Sequence, residues 1–144
     1  MVILAPDVQI RQTGTPRGRG VFAARDFRID ELVETSPVVI LASHFESLPL
    51  ALQRMVYAWP RADESPCAQA IALGYGSLYN GANPANLRYE RDLGHARIHF
   101  FAARAITSGE ELTINYSAGD GSPTTHHDGW FTDHGIAPSF DPAR

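Results

Sequence analysis

The chain has 144 residues, close to one ordinary domain, and its 44% apolar and 19% charged content excludes a disordered tail or a coiled coil. Sixteen acidic residues against twelve basic ones give a net charge of -4, which argues against nucleic acid as a partner. One cysteine, Cys67, leaves no internal disulfide and no Cys-rich zinc module, and a chain this long needs neither in order to fold.

Val8–Ile10 reads as a short strand. Residues 13–20 hold three glycines and a proline, which marks irregular backbone, and Val21–Ala24 is again extended. Arg25–Asp30 is polar and turn-like. Glu31–Ala42 is rich in Val and Ile, and Pro37 splits it into two short strands or bends one. Leu48, Leu50, Leu52, Met55, Val56 and Trp59 recur near helical spacing, so a helix is expected over Leu50–Trp59, with Ser47 as its cap and Pro60 as its stop. Arg61–Gln69 reads as a surface loop and Ile71–Tyr75 as a short apolar stretch. Gly81–Asn86 is a turn cluster, Leu87–Glu90 a brief strand, and Asp92–His95 a hairpin turn. Ile98, Phe100 and Ala102 then repeat at period two within Arg97–Ile106, as in a strand with one buried face. Leu112, Ile114 and Tyr116 alternate in a last strand. The tail from Ser117 onward is polar and Gly- and Pro-rich. No repeats are evident. The sum is a mostly β chain of short strands, not a βαβ series.

Short apolar runs, the longest Val38 to Ala42, predict neither a signal core nor a membrane-spanning helix, so a cytoplasmic protein without a membrane partner is expected. Gly18-Arg19-Gly20 begins like a dinucleotide fingerprint, but no helix follows to complete a βαβ unit. It reads instead as a glycine-lined loop that a small molecule can approach closely, or as a plain turn. His126, His127, Asp128 and His134 share the tail without a clear second pair of ligands, so a solvated loop is favoured over a metal site. Cys67 has nothing beside it in sequence that would make it a nucleophile. Asn80 and Asn86 flank the tight Gly/Pro turn and can fix it or hold polar groups of a ligand. Tyr116, at the end of the last strand, is either a core tyrosine or a phenol at the rim of a site.

Taken together and in this order, Arg17-Gly-Arg-Gly-Val-Phe22, Gly76-Ser-Leu-Tyr-Asn80 running to Asn86, and Gly109-Glu-Glu-Leu-Thr-Ile-Asn-Tyr116 resemble the SET-domain protein lysine methyltransferases, of the compact bacterial and viral type. The resemblance implies a β-clip fold of several short sheets with a pseudoknot and one or two short helices. It implies a domain over 1–116 and a segment over 117–144 that closes the active site.

It also implies S-adenosyl-L-methionine as cofactor. Gly18, Arg19 and Gly20 would contact it through the backbone, Tyr79, Asn80 and Gly81 at the methionine end, and Trp130 or Phe131 by packing on adenine. Tyr116 matches the catalytic tyrosine, and Tyr89 sits where some members place a tyrosine facing the substrate amine. The family's usual Asn-His-Ser is Asn80-Gly81-Ala82 here, so the imidazole and hydroxyl are missing. The implied reaction is methyl transfer to a lysine of a basic protein or peptide, without a metal. The alternative is a catalytically weak module that binds the cofactor or a basic peptide without turnover. The Cys-rich closing segment of many eukaryotic members is absent, which makes a homodimer plausible.

The acidic balance suits a cationic substrate. All twelve basic residues are arginine, which removes any internal lysine substrate; GC-rich coding accounts for the same bias.

Overall fold

The computed structural model describes residues 2–61, 67–116 and 118–122. Among the described residues nine strands form two sheets. The first sheet contains β1 (Val8–Gln12), β2 (Arg19–Ala23), β9 (Glu111–Ile114) and β6 (Asn80–Gly81), in the order β1-β2-β9-β6. The second contains β4 (Val56–Trp59), β5 (Ala68–Ala72), β3 (Leu32–Leu41), β8 (Arg97–Ala102) and β7 (Leu87–Asp92), in the order β4-β5-β3-β8-β7. All pairings are antiparallel except β6 with β9, where Asn80 lies opposite Thr113 and Gly81 opposite Ile114. Among the described residues no helix is long and apolar enough to cross a membrane.

The period-two reading of β8 holds: Ile98, Phe100 and Ala102 are fully buried between the flanking strands. They pack with Val21, Val33, Leu87, Leu112 and Ile114 into one core. Burying a Val, Leu, Ile or Phe side chain stabilises by roughly 1.5–3 kcal/mol. The Glu31–Ala42 stretch is one strand, not two. Its first half pairs with β8 and its second half with β5, and Pro37 sits at the changeover, where a missing backbone donor is tolerated.

The helix expected over Leu50–Trp59 is not there. Only one turn, α1 (Leu50–Gln53), is helical, and Val56–Trp59 is strand β4. Val56, Tyr57 and Trp59 are β-branched or aromatic, and pairing with β5 overrides a helical spacing whose Leu50 is left exposed. The expected loop over Arg61–Gln69 is likewise shorter, because Ala68 and Gln69 belong to β5.

The second sheet curls until its two edge strands meet. Tyr57 of β4 packs edge-on against Tyr89 of β7, with ring centroids 5.2 Å apart, and Arg91 Nε of β7 donates to the Ala58 carbonyl of β4 at 2.7 Å. This seam is closed by side chains, not by a backbone ladder.

A repeat that the sequence reading missed emerges in three dimensions. Residues 22–31 and 101–110 form matching turns at a constant offset of 79, as in Ala23 to Ala102 and Asp30 to Gly109. Their bonds are reciprocal. Asp30 N donates to Ala102 O and Gly109 N to Ala23 O, both at 2.8 Å; Ala23 N donates to Glu110 O and Ala102 N to Glu31 O, both at 2.9 Å. Phe27 and Ile106 exchange two bonds at the centre. Each turn carries an Arg–Glu ion pair, Arg25–Glu31 and Arg104–Glu110, and a left-handed residue, Asp30 at φ 66° and Gly109 at φ 92°. Little more than Phe-Ala-Ala-Arg and one Glu persists in both copies, too short a signature to stand out in sequence.

Candidate functional site

The 13–20 loop is folded on itself. Thr13 N and Thr13 Oγ1 both donate to Gly18 O, at 2.8 and 2.6 Å. Gly18 is left-handed at φ +76°, with open space where a Cβ would stand, so a molecule can come close on that side, while its own N–H donates to Thr15 O at 3.0 Å within the loop. The loop delivers Arg19 and Gly20 to β2, beside β9. The parallel pairing of β6 with β9 brings Asn80 to the same place. Asn80 Nδ2 donates to Arg19 O at 2.9 Å and to Glu111 Oε2 at 2.8 Å. Arg17 donates to the Gly81 carbonyl and pairs with Glu111 at 3.6 Å. A side chain at position 20 would collide with the Glu111 carboxylate.

Gly18, Arg19, Gly20, Asn80 and Gly81 therefore converge. The sequence reading assigned no role to Arg17 or Glu111, whose opposite charges flank Asn80; the signal available was their place inside two of the three motifs. Gly81 also shows how the turn stands without the missing imidazole and hydroxyl. Arg17 holds its carbonyl, and Ala82 N donates to Ile114 O at 2.8 Å.

Asn86 is the structural member of the pair. It is buried, its Nδ2 donates to Glu111 O at 2.8 Å, and its Oδ1 accepts from Thr113 N at 2.8 Å, so it stitches the end of the turn onto β9.

Tyr79 takes part through its backbone. Its ring is only 2% exposed and lies 4.9 Å from the Phe100 ring, and its hydroxyl donates to Glu34 Oε1 at 2.7 Å. Its main-chain carbonyl accepts the phenol of Tyr116 at 3.4 Å. Glu34 is itself buried and also accepts from Tyr75 N at 2.9 Å. Burial raises its carboxyl pKa, against the pull of those two donors.

Tyr116 thus stands at the far end of β9 from Glu111, among other phenols. Tyr89 lies within 5.2 Å of Tyr57 and 6.0 Å of Phe100, measured between ring centroids. The Tyr57 hydroxyl is committed to Gly76 O at 2.7 Å. Residues 119–121 lie against β7 and the turn before it: Tyr89 N donates to Gly119 O at 2.7 Å and Ala85 N to Gly121 O at 3.0 Å. A Cβ on Gly119 would touch the Tyr89 ring at 3.4 Å. Burial, and then the neighbouring Tyr89, push the Tyr116 phenol up to about 12. Burial likewise raises Tyr89, opposed by Arg91. Both are therefore neutral phenols at physiological pH. Tyr57 was missed in the sequence because a helix was expected around it.

Trp130, Phe131 and the tail histidines lie outside the described residues, as does most of the expected closing segment over 117–144. Among the described residues, no group of three or more His, Cys, Asp and Glu side chains could hold a metal ion, and Cys67 is exposed.

Two converging clusters at opposite ends of one strand, one built on an approachable glycine loop and a zwitterionic pair, the other on phenols, suit a polar small molecule at one end and an amine at the other.

Residues 18–117 match the family model described as SET domain. The chain is 32% identical over 118 residues to a histone-lysine N-methyltransferase, H3 lysine-37 specific, of Schizosaccharomyces pombe, covering 80% of this chain and 76% of that protein. In fold it is similar to a candidate histone methyltransferase crystallised from Plasmodium falciparum, with a TM-score of 0.63 and 23% identity over 78% of this chain and 95% of that one. It is also similar to CpSET8 of Cryptosporidium, with a TM-score of 0.58 and 22% identity over 83% of this chain and 61% of that one.

Proposed function

Since the chain belongs to the SET-domain family of protein lysine methyltransferases, we propose that it transfers a methyl group from S-adenosylmethionine to a lysine side chain of a basic protein. The observation that carries this reading is the strand β9 itself. It links Glu111, beside Asn80 and the Gly18–Gly20 loop, to Tyr116, beside Tyr89 and the Tyr79 carbonyl.

The residues present fit such a cofactor. Arg17 and Glu111 match the carboxylate and ammonium of an amino-acid end, Asn80 lies between them, and the open backbone at Gly18 lets a bulky group come close. When bound, S-adenosylmethionine supplies a methyl group on a cationic sulfur, which a neutral amine accepts as one proton leaves and a thioether remains.

The chain's own contribution is positioning. The Tyr116 phenol, anchored at the Tyr79 carbonyl, orients the amine, and Tyr89 accepts a hydrogen bond from it. The amine's ordinary pKa of about 10.4 must fall for it to attack, and an apolar aromatic surround favours the neutral form. Two neutral phenols serve this better than carboxylates, which would hold the ammonium. The acidic balance of the chain favours a basic protein as substrate, and the relative's histone specificity points the same way.

The rival reading is a module that binds cofactor or peptide without turnover, motivated by Gly81 and Ala82. The brace of Arg17 on the Gly81 carbonyl favours an intact pocket and so argues for catalysis. Incubation with radiolabelled S-adenosylmethionine and a lysine-rich histone pool separates the two. Label in protein, absent with Tyr116→Phe, supports the enzyme. Binding of S-adenosylhomocysteine by calorimetry without label supports the module.

A further inference from the structure

Arg91 is a cation facing phenols. It is half-buried on β7, its Cζ lies 5.4 Å from the Tyr89 ring centroid, and its Nε is tied to the Ala58 carbonyl across the curled seam. That bond crosses the place where Tyr57 and Tyr89 meet. Among the described residues, no carboxylate forms an ion pair with it. Glu90 is engaged by Arg88, and Asp92 by Arg97 and His95.

The ionisable groups turned toward this corner are Tyr57 from β4, Tyr89 from β7, Tyr116 after β9 and Glu34 from β3. Both oxygens of Glu34 are occupied, by the Tyr79 hydroxyl and the Tyr75 amide. The guanidinium is therefore a fixed positive charge beside the aromatic cluster, and arginine cannot shed it.

We propose that Arg91 selects the uncharged form of the substrate amine: held across the Tyr57–Tyr89 pair, it disfavours an ammonium at the phenols and leaves the nucleophilic nitrogen as the bound species. This rests on the reading that Tyr89 and Tyr116 face the acceptor lysine. A cation close to an amine in a partly desolvated channel lowers the amine's affinity for its proton, which passes to solvent before attack. The opposing pull of Arg91 on the raised Tyr89 phenol indicates that its charge is felt at that position. The tether to Ala58 keeps the charge in place, where an untethered side chain would swing toward water.

The test is the pH profile of kcat at saturating S-adenosylmethionine, with a lysine-rich histone pool as acceptor, for the wild type, Arg91→Gln and Arg91→Lys. Glutamine keeps a donor for the Ala58 carbonyl and loses the charge; lysine keeps the charge. The rising limb of Arg91→Gln is expected to move up by about one pH unit, which is a roughly tenfold loss of kcat near neutral pH that closes at high pH. Arg91→Lys is expected to follow the wild type. Arg91→Leu fills the same groove without charge and reads the same way if the glutamine variant does not fold. A limb that stays in place without the charge, or a lysine variant that behaves like glutamine, overturns the proposal. A wild-type chain that methylates nothing defeats the underlying reading instead, and removes this one with it.

Discussion

The phenol of Tyr116 donates to the main-chain carbonyl of Tyr79 at 3.4 Å, so the end of β9 is anchored to the residue immediately before Asn80. The two halves of the site are thus joined by one side chain. Replacing Tyr116 with Phe keeps the ring and removes the donor. Methyl transfer is expected to fall by about 10²–10³, the usual effect of deleting one preorganised donor. Affinity for S-adenosylhomocysteine should stay within about threefold, because the methionine-end contacts are elsewhere. Isothermal calorimetry beside the transfer assay checks both.

Asn80 and Asn86 look equivalent in sequence and should behave differently. Asn86→Ala removes the buried stitches to Thr113 and Glu111 and is expected to cost about 2–3 kcal/mol of stability, seen in the urea midpoint. Asn80→Ala lies at the half-exposed mouth, and its main effect should be about a tenfold loss of S-adenosylhomocysteine affinity. If Asn80→Ala destabilises the fold as much as Asn86→Ala does, the division of roles is wrong.

Phe100 contacts the rings of Tyr57, Tyr79 and Tyr89 and is fully buried. Phe100→Ala should destabilise by about 3–5 kcal/mol. Phe100→Leu should lose less stability yet still lose transfer, because the phenols lose the ring that spaces them. Thermal melts and initial rates on the same samples separate the two effects.

Asp92 accepts from His95 at 3.0 Å and from Arg97 at 2.8 Å, and these partners hold its carboxyl down to about 2 from 3.8. A carboxyl with a depressed native pKa stabilises the fold above its unfolded pKa, and that contribution disappears as pH falls through the native value. Asp92→Asn should therefore be less stable than the wild type above about pH 4, with the two curves converging toward pH 2. Chemical denaturation between pH 2 and 7 checks the sign.

The strand alternation at Ile98, Phe100 and Ala102 was legible because one face of β8 is buried along its whole length. The three motifs were legible because each needs particular residues, glycine for an open backbone, asparagine for a braced turn, tyrosine at a strand end. Tyr57 was hidden because Leu50, Leu52, Met55 and Val56 imitate a helical stripe while β5, the partner that makes β4 a strand, lies downstream. Arg91 was hidden for a related reason: its importance comes from two edge strands meeting when the sheet curls, and no local pattern reports curvature. Glu34 and Glu111 carry no local signal of a role, because the groups they bond are distant in sequence.

The matched turns at 22–31 and 101–110 depend on one another for their backbone bonds, across most of the chain's length. A nascent polypeptide that has not yet reached residue 110 has only one member of the pair and cannot seal either. The earlier turn must therefore stay open while the 79 residues that separate it from its counterpart are made, so this part of the domain cannot finish folding in the order in which it is synthesised.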